Sequence, residues 1–174
     1  AERYGVIPDM ITFAKGVTNG AAPTGGVIVR DAIHDAFMTG PEHVIELFHG
    51  YTYSAHPLAC AAGLATLDIY RDENLFARAK TLEPKFADAV MTLRKEPNVV
   101  DIRTIGLTAA IDMTPRDGAP GKRGIDALAA AFHDYDLVIR ATGDTIALTP
   151  PLIISEDQIG EVVEKVAKTI RAVA

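Results

Sequence analysis

The chain has little cysteine, no long uncharged apolar run and no excess of positive charge, and each shortage excludes a class of protein. Its 174 residues include one cysteine, Cys60, so no disulfide can form within the chain. That shortage suits a reducing compartment, and we expect a cytoplasmic location. No stretch approaches the ~18 apolar residues of a membrane span. A net charge of −6 disfavours nucleic-acid binding, which needs a basic surface.

Common ligand-binding motifs are also absent. The glycines between Gly16 and Gly20 do not form a phosphate-binding loop, because no Gly-Lys-Ser/Thr follows them. Gly25 and Gly26 lack the spacing of a dinucleotide-binding motif. The histidines are scattered, without cysteines or paired carboxylates at ligand spacing, so we expect no metal site. These histidines are His34, His43, His49, His56 and His133.

A lysine at the end of an apolar segment is the most informative feature that is present. Met10, Ile11, Phe13 and Ala14 precede Lys15 and predict a short buried strand that ends at a Gly-rich turn. Burial lowers the pKa of a lysine, and a neutral amine is a nucleophile that forms a Schiff base with an aldehyde. The spacing alone favours an ordinary surface lysine at a strand end, since most lysines take no part in chemistry.

The remaining pattern predicts an α/β chain of short strands and amphipathic helices. Asp31 is the expected N-cap of a short helix, and Pro57 is expected in the first turn of a long helix. Ser155 and Gln158 are expected to form a capping box at the start of the last helix. Cys60, in an apolar helical run, is expected to be buried. Residues 7–15 are predicted to form a strand followed by a turn. The other predicted strands are 26–30, 99–103, 107–113, 137–140 and 145–148, and the predicted helices are 31–37, 57–70, 74–95, 125–133 and the segment after 155.

Three segments together resemble the class III (ω-amino acid) aminotransferases, which are pyridoxal-phosphate enzymes. They are Ile11-Thr12-Phe13-Ala14-Lys15-Gly16-Val17-Thr18-Asn19-Gly20, His49-Gly50-Tyr51-Thr52-Tyr53-Ser54-Ala55-His56-Pro57 and Leu137-Val138-Ile139-Arg140-Ala141-Thr142-Gly143-Asp144. Their order and spacing also fit, over essentially the whole chain, and are closest to the ω-amino acid–pyruvate (β-alanine–pyruvate) branch.

The resemblance implies a fold and a domain division. The fold is the α/β fold type I of PLP-dependent transferases. Residues 1–57 would be the C-terminal part of the large PLP-binding domain, and residues 58–174 the small C-terminal α/β domain. We expect the chain to be the C-terminal part of a longer protein, whose preceding part carries the acid for the pyridine nitrogen and the main phosphate loop.

The resemblance also assigns roles to particular residues. Lys15 would be the catalytic residue, binding pyridoxal 5'-phosphate as a Schiff base and then acting as general base. Thr52, with Tyr51 as a weaker candidate, would bind the cofactor, in this family that of a neighbouring subunit, which implies a homo-oligomer. Arg140 would bind the substrate carboxylate. Two structural alternatives stay open: an ordinary loop hydroxyl for Thr52, and a salt bridge to Asp144 or Asp136 for Arg140.

The expected function is therefore transfer of an amino group from an ω-amino acid or amine, such as β-alanine, to pyruvate. One lysine can serve several reactions of this fold, so a decarboxylating transaminase or an aminomutase remains an alternative. A non-enzymatic α/β binding domain with an unreactive Lys15 is a third reading. We expect the chain by itself to be inactive, since it lacks the other cofactor-binding groups.

Overall fold

A computed structural model describes all 174 residues and divides the chain into two compact units, Ala1–Glu73 and Asn74–Ala174. This division falls after the long helix that begins at Pro57. The expected boundary between residues 57 and 58 concerns the domains of a longer protein and stays a prediction. No helix in the structure is long and apolar enough to span a membrane.

The first unit consists of a two-stranded ribbon and two helices. Strand β1 (Met10–Ala14) pairs antiparallel with β2 (Gly25–Val29). Helix α1 spans Asp31–Phe37, and helix α2 spans Pro57–Asp72. A one-turn 3₁₀ helix, Lys15–Val17, follows β1 directly. The strand that the sequence predicts before Lys15 is therefore present and ends at the expected residue.

The prediction that this strand is buried is wrong for the chain as it stands. All residues of β1 are exposed, with Met10 at 58% and Phe13 at 38%. A ribbon of two strands leaves both of its faces open unless another layer covers them. The apolar residues of β1 therefore predict the strand correctly, but no other part of this unit packs against them.

Two details of the helices also differ from expectation. Asp31 is the first residue of α1, and Arg30 occupies the N-cap position because its backbone is extended. Asp31 still complements the positive end of the helix from the first turn. Cys60 is exposed, since α2 buries the stripe that contains Ala59 and Gly63, and Cys60 lies about 100° around the helix from Ala59.

The second unit is a four-stranded antiparallel sheet packed against three helices. The strands lie in the order β3-β4-β6-β5. Helix α5 begins with the predicted capping box, in which Ser155 and Gln158 bond each other's backbone N–H groups. In chain order the elements are α3 (Leu75–Met91), β3 (Val99–Ile105), β4 (Thr108–Met113), α4 (Lys122–Tyr135), β5 (Arg140–Thr142), β6 (Thr145–Leu148) and α5 (Glu156–Ala172).

One apolar core holds this second unit together. Side chains from the helices and from one face of the sheet are almost completely removed from water, which is the main source of stability in a small domain. The fully buried members include Phe86, Val90, Ile111, Ile146, Val166 and Ile170. The sequence pattern of α3 and α5 predicted most of the helical contribution to this core.

Strand β5 differs from the prediction of a strand over residues 137–140. Arg140 begins the strand instead of ending it and pairs with Ala147. The partner strand β6 ends at Leu148, and Pro150 and Pro151 follow closely without a backbone N–H to continue the ladder. Residues 137–139 are therefore left without a strand partner. Helix α4 likewise begins at Lys122, earlier than the predicted residue 125.

A buried carboxylate links the loop between α3 and β3 to the last helix, α5. Glu96 is 7% exposed, and its two oxygens accept hydrogen bonds from Nε and Nη2 of Arg171, both at 2.6 Å. These bonds hold the pKa of Glu96 below its usual value, against the opposing effect of burial. A carboxylate with a lowered pKa stabilises the fold above its unfolded-state pKa, and this contribution is lost as pH falls through the folded-state pKa.

We predict that Glu96→Gln destabilises the chain at pH 7 and that this difference shrinks as the pH falls below ~4 toward the lowered folded-state pKa, because Glu96 is progressively protonated and becomes as neutral as glutamine. The measurement is urea denaturation between pH 3 and pH 7. Glu164→Gln is the control, since Glu164 forms an exposed pair with Lys168 on α5 and should matter much less. An equal loss for both variants would contradict the argument.

Candidate active site

Lys15 occupies a strained backbone position. Its φ is +56°, the left-handed region that residues other than glycine seldom adopt. Such positions persist only when their surroundings fix them, and they cluster at functional sites. The side chain is exposed, and its ammonium makes no hydrogen bond or ion pair with any part of the chain. The buried setting expected from the sequence is thus not supplied by these 174 residues.

Polar contacts with the backbone hold the turn that carries Lys15. The Lys15 carbonyl accepts hydrogen bonds from the N–H groups of Thr18 and Gly20, at 3.2 and 3.3 Å. Thr18 is 1% exposed and donates its hydroxyl to the carbonyl of Ala22 at 2.6 Å. From α2, the Tyr70 hydroxyl donates to the Gly16 carbonyl at 2.7 Å. The turn is therefore tied both to itself and to the long helix.

A second strained segment precedes the N-terminus of α2. Gly50, Tyr51 and Ala55 have φ values of +71°, +73° and +56°. Thr52 lies between them, exposed, and its hydroxyl has no partner in the chain. His56 is the N-cap residue of α2, but its side chain makes no hydrogen bond. No hydrogen bond joins Thr52 to the Lys15 turn.

Helix α2 connects these two segments of the first unit. Its first residue, Pro57, follows the segment with Thr52, and Tyr70 in its last turn contacts the turn with Lys15. Unpaired N–H groups and the helix dipole favour an anion at a helix N-terminus. The unit therefore presents an unpaired amine on a turn that packs against α2, and an unpaired hydroxyl in the segment that leads into the start of the same helix.

Arg140 lies in the second unit, at the start of edge strand β5. Its guanidinium is exposed and forms no ion pair, so neither of the salt bridges considered above, to Asp144 or to Asp136, is present. It lines a cavity of ≈ 730 Å³ together with apolar residues such as Leu137, Leu148 and Pro151. A planar guanidinium that is free of partners can bind a carboxylate through two parallel hydrogen bonds.

Asp144 has a role that the sequence analysis missed. Its carboxylate accepts hydrogen bonds from the N–H groups of Gly121 at 2.6 Å and Gly124 at 3.1 Å. These bonds, above all that from Gly121, lower the pKa of Asp144. No clear signal for this role was present in the sequence, because the predicted start of α4 was residue 125, whereas the helix begins after Gly121, which has no side chain to cap it. The capping group then had to come from elsewhere in the chain.

Asp9 lies six positions before Lys15 in the sequence and stabilises one end of the β1–β2 ribbon. Its carboxylate pairs with Nε of Arg30 at 3.2 Å, and its carbonyl accepts from the Arg30 N–H at 3.0 Å. These contacts close the end of the β1–β2 ribbon opposite Lys15. Asp9 therefore has a structural role, as the ion-pair partner of Arg30.

The chain belongs to the class-III aminotransferase family, whose sequence profile matches residues 1–170. It is 53% identical to an omega-aminotransferase of Caulobacter vibrioides over 170 residues, covering 98% of this chain and 38% of that protein. It is 42% identical over 176 residues to a beta-alanine–pyruvate aminotransferase of Pseudomonas aeruginosa, covering all of this chain and 39% of the relative. The chain thus spans less than half the length of these relatives.

Solved structures agree with this assignment. An (S)-enantioselective omega-transaminase from Thermomicrobium roseum superposes with a TM-score of 0.89 at 34% identity, covering 99% of this chain and 39% of that one. An aminotransferase from Vibrio fluvialis gives a TM-score of 0.90 at 30% identity over the same shares. The predicted fold class, the α/β fold of PLP-dependent class III transaminases, is confirmed.

The groups in these two units fit a PLP-dependent family chemically. An amine suits an aldehyde, a hydroxyl near a helix start suits a phosphate, and a guanidinium suits a carboxylate. Lys15, Thr52 and Arg140 are exposed, and none has a partner in the chain. The roles themselves stay predictions.

We predict that Tyr70→Phe loosens the Lys15 turn without unfolding the chain, because it removes one hydrogen bond worth about 0.5–1.5 kcal/mol. Amide hydrogen exchange at Thr18 and Gly20, whose N–H groups bond the Lys15 carbonyl, should speed up by roughly 2- to 10-fold. Tyr4→Phe is the control, as Tyr4 is 69% exposed and its hydroxyl contacts nothing. Unchanged exchange in Tyr70→Phe would refute the anchoring role.

Proposed function

We propose that this chain is part of a PLP-dependent transaminase that moves an amino group from an ω-amino acid or amine, such as β-alanine, to pyruvate. The observation that carries the proposal is Lys15, a free amine on a strained residue within a chain of the class-III aminotransferase family. The names of the omega-aminotransferase and beta-alanine–pyruvate relatives favour this reaction over a decarboxylating transaminase or an aminomutase.

Lys15 has two tasks in this proposal. Bound pyridoxal 5'-phosphate supplies an aldehyde and an electron sink for the substrate's reacting carbon. Lys15 would hold the cofactor covalently through Nζ, and its amine, when not so bound, would accept the proton that leaves the reacting carbon of the substrate. The turn contacts from Thr18 and Tyr70 fix the backbone that aims this amine.

Thr52 is proposed to bind the phosphate, and Tyr51 is a weaker candidate for a contact with the cofactor. The Thr52 hydroxyl has no partner of its own, and the segment leads into the N-terminus of α2. In the family this threonine serves the cofactor of a neighbouring subunit, so we propose a homo-oligomer with shared active sites. The remaining cofactor contacts would come from a preceding part of a longer protein, which the greater length of the relatives supports.

Arg140 is proposed to bind the carboxylate of the amino donor and of pyruvate. Its unpaired guanidinium lines a cavity whose walls combine apolar residues with the ion pair of Glu161 and Lys165, and it can bind the acid group of a short substrate. A donor without a carboxylate would use the same pocket without that contact. We also propose a cytoplasmic location, which is consistent with the single cysteine.

We predict that the longer enzyme binds pyridoxal phosphate covalently at Lys15. Borohydride reduction followed by peptide mass spectrometry should place the cofactor on Lys15, and Lys15→Ala should abolish this label and lower turnover by at least about 10³-fold. Lys80→Ala, on the exposed side of α3, is the control. Turnover and labelling that survive in Lys15→Ala would reject the transaminase proposal and favour a binding domain.

We predict that Arg140→Ala raises KM for β-alanine by about 10- to 100-fold, since a charged hydrogen bond contributes about 1.5–3 kcal/mol. The first half-reaction with benzylamine, which has no carboxylate, should change little. Lys168→Ala removes an exposed cation of α5 and should leave both donors unaffected. A parallel loss for both donors in Arg140→Ala would exclude the proposed carboxylate contact.

A further inference from the structure

We propose that Asp144 is a positioning residue for Arg140: its carboxylate fastens the β5–β6 turn to the start of α4 and so places the strand from which Arg140 extends. This inference rests on the proposed function, because Asp144 acts on the substrate only through the carboxylate contact of Arg140. Asp144 does not itself contact Arg140, which has no partner in the chain.

The first argument is the way Asp144 completes α4. The first N–H groups of a helix lack intrahelical partners and are normally satisfied by an N-cap side chain. Gly121 stands at the N-cap of α4 and offers none. Asp144, in the neighbouring β5–β6 hairpin, takes over this function. Its two carboxylate oxygens accept hydrogen bonds from the N–H groups of Gly121 at 2.6 Å and Gly124 at 3.1 Å. Its negative charge also complements the helix dipole there.

The second argument is the close fit between the turn and the helix. A Cβ added at Gly124 would lie 2.0 Å from the Gly143 carbonyl oxygen, so only glycine allows the turn this near. Gly143 itself has a φ of +57°. The sequence thus places two glycines and one carboxylate at a single contact. This arrangement fixes both the distance and the orientation of the turn on α4.

The third argument is that β5 has little else to hold it. It is three residues long, lies at the sheet edge and pairs only with β6. Its other main contact is with α4. On the β6 side of the turn, the Thr145 hydroxyl donates to Oδ1 of Asp112 at 2.8 Å, and Asp112 is in turn held by Arg103. Arg140 itself is held by its pairing with Ala147 and by the buried neighbour Ile139, so Asp144 fixes the other, turn end of this short strand.

The experiment compares amino donors with and without a carboxylate in the longer enzyme. Asp144→Ala should raise KM for β-alanine roughly tenfold, the effect of losing one charged hydrogen bond, and should change KM for benzylamine by less than about twofold. Asp144→Asn keeps an acceptor oxygen, so its KM for β-alanine should lie between those of Asp144→Ala and the wild type. Gly124→Ala, which pushes the turn away from α4, should reproduce the β-alanine effect.

Ser155→Ala is the matched control, because it removes the cap of α5 in the same unit without touching the hairpin. It should lower the melting temperature without altering the ratio of the two KM values. An Asp144→Ala ratio equal to that of Ser155→Ala would overturn the inference. If Asp144→Ala does not fold, the ratio for Asp144→Asn decides: a shift toward weaker β-alanine binding supports the inference, and an unchanged ratio overturns it.

Arg140→Ala separates failure of this inference from failure of the proposed function. If Arg140→Ala changes the donor ratio and the Asp144 variants do not, the positioning role alone is rejected. If Arg140→Ala leaves the ratio unchanged, the carboxylate contact fails, and the positioning role fails with it. A changed ratio in both series, with faster hydrogen exchange at the Gly121 and Gly124 amides in Asp144→Ala, supports both.

Discussion

The packing of α3, α4 and α5 on one face of the four-stranded sheet is the interaction on which the second unit depends. It removes Phe86, Ile111 and Ile170 almost completely from water. Loss of one such side chain costs several kcal/mol, about 3–5 for a buried phenylalanine replaced by alanine, which is a large part of a domain's stability. Only on this rigid base can a strand as short as β5 hold a fixed position at the sheet edge.

The first unit is organised differently, because it buries few side chains of its own. Its buried residues are small or polar: Thr18, Ala59, Gly63 and Thr66. The strained backbone of Lys15 is therefore held mainly by hydrogen bonds to carbonyls, among them the contact from Tyr70 to Gly16. Directional contacts can fix a left-handed residue where apolar packing is sparse, since each satisfies a backbone group that would otherwise lack a partner.

The sequence was sufficient for features that depend on neighbouring residues. Periodicity predicted α3 and α5, the pair Ser155 and Gln158 predicted the capping box, and the apolar run predicted a strand ending at Lys15. The sequence was not sufficient where a structural feature depends on residues that are distant along the chain. β5 starts at Arg140 because β6 ends before two prolines, and β1 is exposed because nothing in its unit covers it. Asp144 was missed because its partners lie in α4, far along the chain.

The same reasoning explains how the candidate site combines free functional groups with fixed geometry. A side chain that is to bind a cofactor or substrate has to lack partners within the protein, as Lys15, Thr52 and Arg140 do. Its position must then be set through the backbone that carries it. Tyr70 acts on the carbonyl next to Lys15, and Asp144 acts on the turn that ends the strand of Arg140. In the proposed roles, Tyr70 and Asp144 would thus influence binding without contacting the cofactor or the substrate.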